Sequence, residues 1–189
     1  MNIVQRMGTD MIVILMGVSG SGKSTIGQQL ARAMGWRFVE GDELHPLANV
    51  EKMRQGIPLT DADRGPWLQA IRQQIDQLQQ AKQGAVITCS ALKQRYREVL
   101  QSAQPTGTLR FIYLKVSPAV LRSRLVQRQG HFMKASMLDS QLAALEEPTQ
   151  ALTICLTATD TIEQIVAQIC HRLTVGSCVF KSALPSESV

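Results

Sequence analysis

Aromatic residues make up only 4% of the 189-residue chain. Platforms that stack the bases of single-stranded nucleic acid need aromatic faces, and no dense block of lysine and arginine compensates for their scarcity. A net charge of +5 therefore favours small anionic ligands without implying a nucleic-acid partner. The four cysteines, Cys89, Cys155, Cys170 and Cys178, form no C-x-x-C pair and no metal-ligand spacing, which excludes a zinc site and a disulfide framework. Cys89 and Cys155 lie in apolar runs and read as buried thiols, Cys178 as an exposed one, and the pattern points to a reducing cytoplasm. No apolar run is long enough to span a membrane; Met11 to Val18 stops at a glycine-rich stretch. Residues 1–10 lack signal-peptide architecture and read as a leader to a fold that starts near Met11. What is present, 44% apolar and 19% charged residues, suits one globular domain over residues 11–175 with a full core.

Gly17 to Ser24 reads Gly-Val-Ser-Gly-Ser-Gly-Lys-Ser and fits the phosphate-loop pattern G-x-x-x-x-G-K-[ST] at every fixed position. The unbroken apolar run Met11–Met16 before it predicts a strand buried on both faces. Ile26, Leu30, Ala31 and Met34 after it predict a helix. The chemistry explains the residue types. Gly17, Gly20 and Gly22 let the backbone curl and turn its N–H groups inward, and the start of the helix adds a positive dipole end. In this setting Lys23 reaches the β- and γ-phosphates of a triphosphate, the Ser24 hydroxyl ligates Mg²⁺, and Thr25 lies on the α-phosphate side. Val18, Ser19 and Ser21 complete the nucleotide-binding set.

Along the rest of the chain, strands are expected at Arg37–Glu40, Ala85–Cys89, Arg110–Val116 and Leu152–Thr157. Between them, Pro46 opens a short helix and Leu59–Pro66 reads as a polar turn. A long helix is expected over Trp67–Lys82, with Trp67 in its apolar stripe. Further helices follow around Tyr96, from Pro118, and around Leu138–Leu145, and the last spans Thr161–Leu173. Residues 176–189 read as a tail. Apolar strands alternating with helices predict an α/β fold, a parallel sheet with helices on both faces. Ligands of such sheets bind beyond the carboxyl ends of the strands. Ser19–Ser24, Gly41–His45 and Ser90–Lys93 all follow strands and should converge there.

Asp42, just past the second strand, is the candidate to orient and deprotonate an attacking hydroxyl or to hold Mg²⁺; capping the following segment is its structural alternative. His45, Lys52, Arg54 and Arg64 crowd the region where a second substrate should lie, and spacing does not choose among them. Lys93 and Arg97 stand one helical turn apart and could face an anion or solvent. Arg124 and Arg128, also at i,i+4, lead into a basic segment with Gly130 and His131, suited to neutralising charge on a transferring phosphoryl group. Asp61 and Asp63 could pair on Mg²⁺, but a turn or helix N-cap is the better reading.

Beyond the phosphate loop, Gly41-Asp-Glu-Leu-His-Pro46, Asn49-Val-Glu-Lys-Met53, Gly56-Ile-Pro-Leu59, Asp61-Ala-Asp-Arg64 with Pro66-Trp-Leu68, and Cys89-Ser-Ala-Leu-Lys93 with Tyr96-Arg97 resemble the gluconate kinase family of small P-loop carbohydrate kinases. Gly130-His-Phe-Met133 and Leu138 to Gln141 continue the match, which covers Met11 to about Pro148. The resemblance implies ATP-dependent phosphorylation of D-gluconate at its 6-hydroxyl. It also implies a nucleoside-monophosphate-kinase-like fold with strand order 2-3-1-4-5, a lid at about 124–135 and, in many members, a homodimer. Shikimate and nucleotide kinases of similar fold are the nearest alternatives, and a nucleotide-dependent binding switch is the alternative from another class. The scarcity of aromatics argues against a nucleotide acceptor. A switch needs a water-positioning group and mobile switch segments.

Overall fold

The computed structural model describes residues 10–102, 107–127 and 135–180. Five parallel strands form one sheet in the order β2-β3-β1-β4-β5: β1 (Ile12–Met16), β2 (Arg37–Glu40), β3 (Ala85–Cys89), β4 (Leu109–Val116) and β5 (Leu152–Leu156). β1 is central, with Ile14 opposite Ile87 on one side and Phe111 on the other. All five of its side chains are buried, as its unbroken apolar run requires of a strand covered on both faces.

Alternation along the strands divides the core in two. Val13, Leu15, Ile112, Leu114 and Ile154 face α1 (Lys23–Met34), α5 (Pro118–Gln127), α6 (Ala135–Ala144) and α7 (Ile162–Phe180), whose Leu30, Met34, Leu121, Leu138, Ile165 and Ile169 fill that side. Ile12, Ile14, Met16, Ile87 and Cys89 face α3 (Asp61–Gln80) and α4 (Gln94–Gln101), with Trp67, Ile71, Ile75, Tyr96 and Leu100. The short α2 (Leu47–Arg54) lies between β2 and α3 in sequence.

Three expectations are corrected. Asp61–Pro66 belongs to α3 rather than to a turn. Thr60 caps the helix through a reciprocal box: its hydroxyl accepts from Asp63 N–H at 3.2 Å while Asp63 Oδ2 accepts from Thr60 N–H at 2.9 Å. Pro66 in the second turn costs the helix one main-chain bond, and the box holds the turn before it in place. α7 continues through Phe180, into the stretch read as tail; residues 181–189 lie outside the described residues. Cys155 is exposed, not buried, because β5 is an edge strand and alternation turns its even partners Ile154 and Leu156 to the core instead. Among the described residues no helix is long and apolar enough to cross a membrane.

Candidate active site

The carboxyl ends of β1, β2 and β3 release three segments onto one edge. The first is the phosphate loop. Gly22 precedes α1 with φ +96°, a left-handed conformation that disfavours any side chain, and it offers no side-chain cap. No acidic residue occupies the first turn of α1, so the positive helix end is left for an anion. Lys23 Nζ donates to the Val18 carbonyl at 3.0 Å, folding back over its own loop. Ser24 and Thr25 are exposed at the helix start, whereas Ser21 is fully buried beneath the loop. Burial leaves the Ser21 hydroxyl no route to a ligand, and the Ser21 N–H donates to the Val18 carbonyl at 3.3 Å.

The second segment is a 3-10 turn, Gly41–Leu44, after β2. Its close approach to β3 demands glycine: a Cβ on Gly41 would lie 1.9 Å from the Thr88 carbonyl oxygen. Trp67 Nε1 donates to the Gly41 carbonyl at 2.7 Å and its ring stacks on His45 at 4.2 Å between centroids. Trp67, 1% exposed, is thus the core residue expected and also the post that fixes the turn carrying Asp42. Glu40, the rival carboxylate at the end of β2, accepts from the buried Thr88 hydroxyl, which in turn accepts the Gly41 N–H at 3.1 Å. It is spent on the sheet edge, while Asp42 reaches the cavity described below.

His45 is held from both sides. Asn49, itself buried, donates one amide hydrogen to the Asp63 carbonyl at 2.7 Å and meets His45 Nδ1 at 3.3 Å. Nδ1 is therefore the acceptor and Nε2 carries the proton. Burial lowers the His45 pKa to about 4, with Asp42 opposing that shift and Arg64 adding to it. At neutral pH the ring is an uncharged donor.

The third segment, Ser90–Lys93, bends sharply: Ala91 has φ +42°, unusual for a residue with a side chain. Arg97, 5% exposed, donates Nη1 to the carbonyls of Ala91 at 2.9 Å and Leu92 at 3.1 Å. Arg97, named with Lys93 as able to face an anion or solvent, does not line the cavity described below; its guanidinium secures this bend. Lys93 pairs with Asp61 at 3.0 Å, and Lys52 with Asp63 at 2.6 Å. Neither lysine lines the cavity, because the two acids in the first turn of α3 have taken them. Arg54, at the end of α2, does not line it either.

A cavity of about 80 Å³ joins the three segments. It is lined by Ser19, Lys23, Asp42, His45, Met53, Pro58, Leu59, Arg64, Trp67, Ser90, Ser140 and Gln141. The fold thus brings together Ser19, Lys23, Asp42, His45 and Arg64 from the sequence-based candidates. Arg64 donates to the Leu59 carbonyl and lies 5.9 Å from the centre of the Tyr96 ring. Arg124 sits beside the loop, with Nη1 3.5 Å from the Gly20 carbonyl and Nη2 3.4 Å from that of Thr157. Arg128 and His131 lie outside the described residues. Sequence reasoning missed Gln141, whose Oε1 accepts the Ser19 N–H at 2.7 Å across 122 residues; no local pattern signals such a contact. A larger cavity, about 350 Å³, opens near the amino-terminal ends of β1, β4 and β5, beside Met11, Leu109 and Leu152. It contains no residue of the phosphate loop, so the smaller one is the candidate active site.

Among the described residues no three His, Cys, Asp or Glu side chains form a metal-binding group. One hydroxyl, Ser24, and one carboxylate, Asp42, fit Mg²⁺, which is commonly held by few protein ligands together with substrate phosphates and water.

The comparisons agree with this architecture. Residues 12–148 match the family model described as an AAA domain. The chain is 52% identical over 136 residues to the gluconokinase of Gluconobacter oxydans, covering 72% of this chain and 75% of that one. It is 47% identical over 137 residues to the thermoresistant gluconokinase of Escherichia coli, covering 72% and 77%. The crystal structure of a gluconokinase from Sinorhizobium meliloti superposes with a TM-score of 0.80 at 37% identity, over 94% of this chain and 99% of that one.

Proposed function

The chain belongs to the gluconokinase family, and from that membership we infer that it transfers the γ-phosphoryl group of ATP to the 6-hydroxyl of D-gluconate, giving 6-phospho-D-gluconate and ADP. The observation that carries this reading to the site is the single cavity in which Ser19 and Lys23 of the phosphate loop meet Asp42, His45 and Arg64. A phosphate donor and a small polar acceptor can meet there.

Main-chain N–H groups of the phosphate loop other than those of Ser19 and Ser21, with the start of α1, hold the phosphates, and Lys23 lies at the β- and γ-positions. Asp42 orients the acceptor hydroxyl and takes its proton as the bond to phosphorus forms. Because phosphoryl transfer is loose, positioning counts for more than full deprotonation. Arg124, with Arg128 from the adjoining segment, neutralises charge on the equatorial oxygens. Ser24 and Asp42 would hold Mg²⁺, which supplies charge neutralisation between the phosphates. Arg64 suits the acceptor carboxylate and the uncharged His45 Nε2–H a sugar hydroxyl. His131, in the basic segment after Arg128, extends the acceptor set. The homodimer follows from the resemblance and the cytoplasmic location from the cysteine pattern.

An assay coupled to ADP release, with gluconate, shikimate, glycerate and AMP offered in turn, tests the reading. Gluconate should be phosphorylated fastest. Faster turnover of shikimate or AMP would overturn it.

A further inference from the structure

Gln141 projects from α6 into the cavity shared by Lys23 and Asp42. Its carboxamide orientation is fixed: Oε1 faces the Ser19 N–H at 2.7 Å, so the acceptor end is the one on the loop. The other end, Nε2 with its two hydrogens, has no hydrogen-bond partner among the described residues. Ser19 is the loop residue just before Gly20 and the last loop residue to line the cavity before Lys23. A half-buried amide donor is thus held at the junction between the phosphate loop and the acceptor wall. The cation nearest in kind, Lys23, is already assigned to the phosphates, and the carboxylate opposite, Asp42, to the acceptor hydroxyl.

We propose that Gln141 is a further catalytic residue: anchored by Ser19 through Oε1, it donates from Nε2 to an oxygen of the phosphoryl group in transit. This rests on the phosphotransfer reading above. In the step, the acceptor oxygen bonds to the γ-phosphorus as the bond from that phosphorus to the β,γ-bridging oxygen breaks. The bridging oxygen leaves with the electron pair on ADP, and the hydroxyl proton passes to Asp42. The Nε2 donor stabilises the equatorial oxygen charge while this happens, as fixed donors do in other acyl- and phosphoryl-transfer sites. The anchor and the donor are two ends of one planar group, so the loop's position dictates the donor's.

Two variants separate this from a purely structural staple between α6 and the loop. Gln141→Glu keeps an acceptor for the Ser19 N–H and replaces the donor by a carboxylate; Gln141→Leu loses both ends. The donor role predicts that Gln141→Glu lowers kcat on gluconate roughly a hundredfold or more, with the KM for gluconate and the ADP dissociation constant within about threefold of wild type. Gln141→Leu should lose activity to a similar degree. A staple predicts instead that Gln141→Glu either keeps near-normal kcat or, through its added negative charge, weakens ADP by as much as it lowers kcat, and either outcome overturns the proposal. A second readout needs no acceptor: calorimetry of ADP with aluminium fluoride, a mimic of the transferring phosphoryl group. Gln141→Glu should weaken that complex at least tenfold (an order-of-magnitude expectation) relative to ADP alone, and equal affinity in variant and wild type overturns the proposal as well. Wild-type protein that is inactive on gluconate would instead sink the acceptor assignment, leaving the aluminium fluoride comparison to decide the role of Gln141.

Discussion

Two groups of cations approach the same edge of the sheet, and the fold treats them differently. On the α3 side, Lys52 and Lys93 are matched to Asp63 and Asp61, the first-turn acids of that helix. Asp61 also accepts from Arg95 and from the Tyr96 hydroxyl, which ties the starts of α3 and α4 together. Around the cavity and the loop, Lys23 and Arg124 donate to the main-chain carbonyls of Val18 and Gly20, and Arg64, itself in α3, to that of Leu59. A carboxylate neutralises a cation, and moving that cation to a substrate means separating charges. A neutral carbonyl only orients it, and an arriving phosphate or carboxylate forms the stronger, charge-assisted bond. The number of cations near a cleft therefore says little about binding; the charge of their resident partners says much more.

The contrast yields opposite expectations for the two sides. The largest effect belongs to Lys23→Ala: loss of a fixed cation at the β- and γ-phosphates should cost on the order of 3 kcal/mol or more in kcat/KM while the melting temperature holds. Near-normal turnover would remove the phosphate loop from the chemistry. Next comes Asp42→Asn, expected to lower kcat by roughly a hundredfold with little change in ATP affinity. Glu40→Gln is its control, because Glu40 is engaged with Thr88; if Glu40→Gln loses kcat and Asp42→Asn does not, the roles are reversed.

Arg64→Ala should raise the KM for gluconate by about ten- to a hundredfold, the worth of one charge-assisted contact, and leave the KM for ATP nearly unchanged. A shift confined to ATP would place Arg64 on the nucleotide side instead. The smallest catalytic effect is expected from Lys52→Met, with kinetics at pH 7 within roughly twofold of wild type, since neither partner of this half-exposed pair lines the cavity. Its signature is in acid. The Lys52 ammonium, with the Thr60 N–H and hydroxyl, lowers the Asp63 pKa from 3.8 to about 2. A depressed carboxylate stabilises the fold above its ordinary pKa and loses that contribution as pH falls through the folded value. The melting-temperature gap between wild type and Lys52→Met should then be widest above pH 4 and close towards pH 2. A tenfold rise in the KM for gluconate would return Lys52 to the acceptor site.

His45 illustrates why residue type alone misleads. A histidine among cations beside an anion site suggests a charged contact. Stacked on Trp67 and buried, it is instead neutral until about pH 4. Protonation must therefore work against folding as pH drops from about 6.5 towards 4. The arrangement depends on Trp67, a core residue of α3, and on Asn49 of α2, neither of which announces a functional role by itself.

The elements that repeat a local pattern were determined by the amino-acid order alone. Apolar strands, the helix after the phosphate loop and the loop itself all follow from neighbours a few residues apart, and observed boundaries fall close to the expected ones at β1, β2 and β3. The start of α3 was also written locally, in Thr60 and Asp63, but Pro66 masked it. Tertiary structure alone decided which candidates are available for chemistry. Arg97 turns inward because the bend at Ala91 needs its donors, Lys93 meets Asp61 across 32 residues, and Gln141 meets Ser19 across 122. Hydrogen bonds and ion pairs are short-ranged and directional, so whether a side chain is spent or free is settled only when distant elements pack against one another.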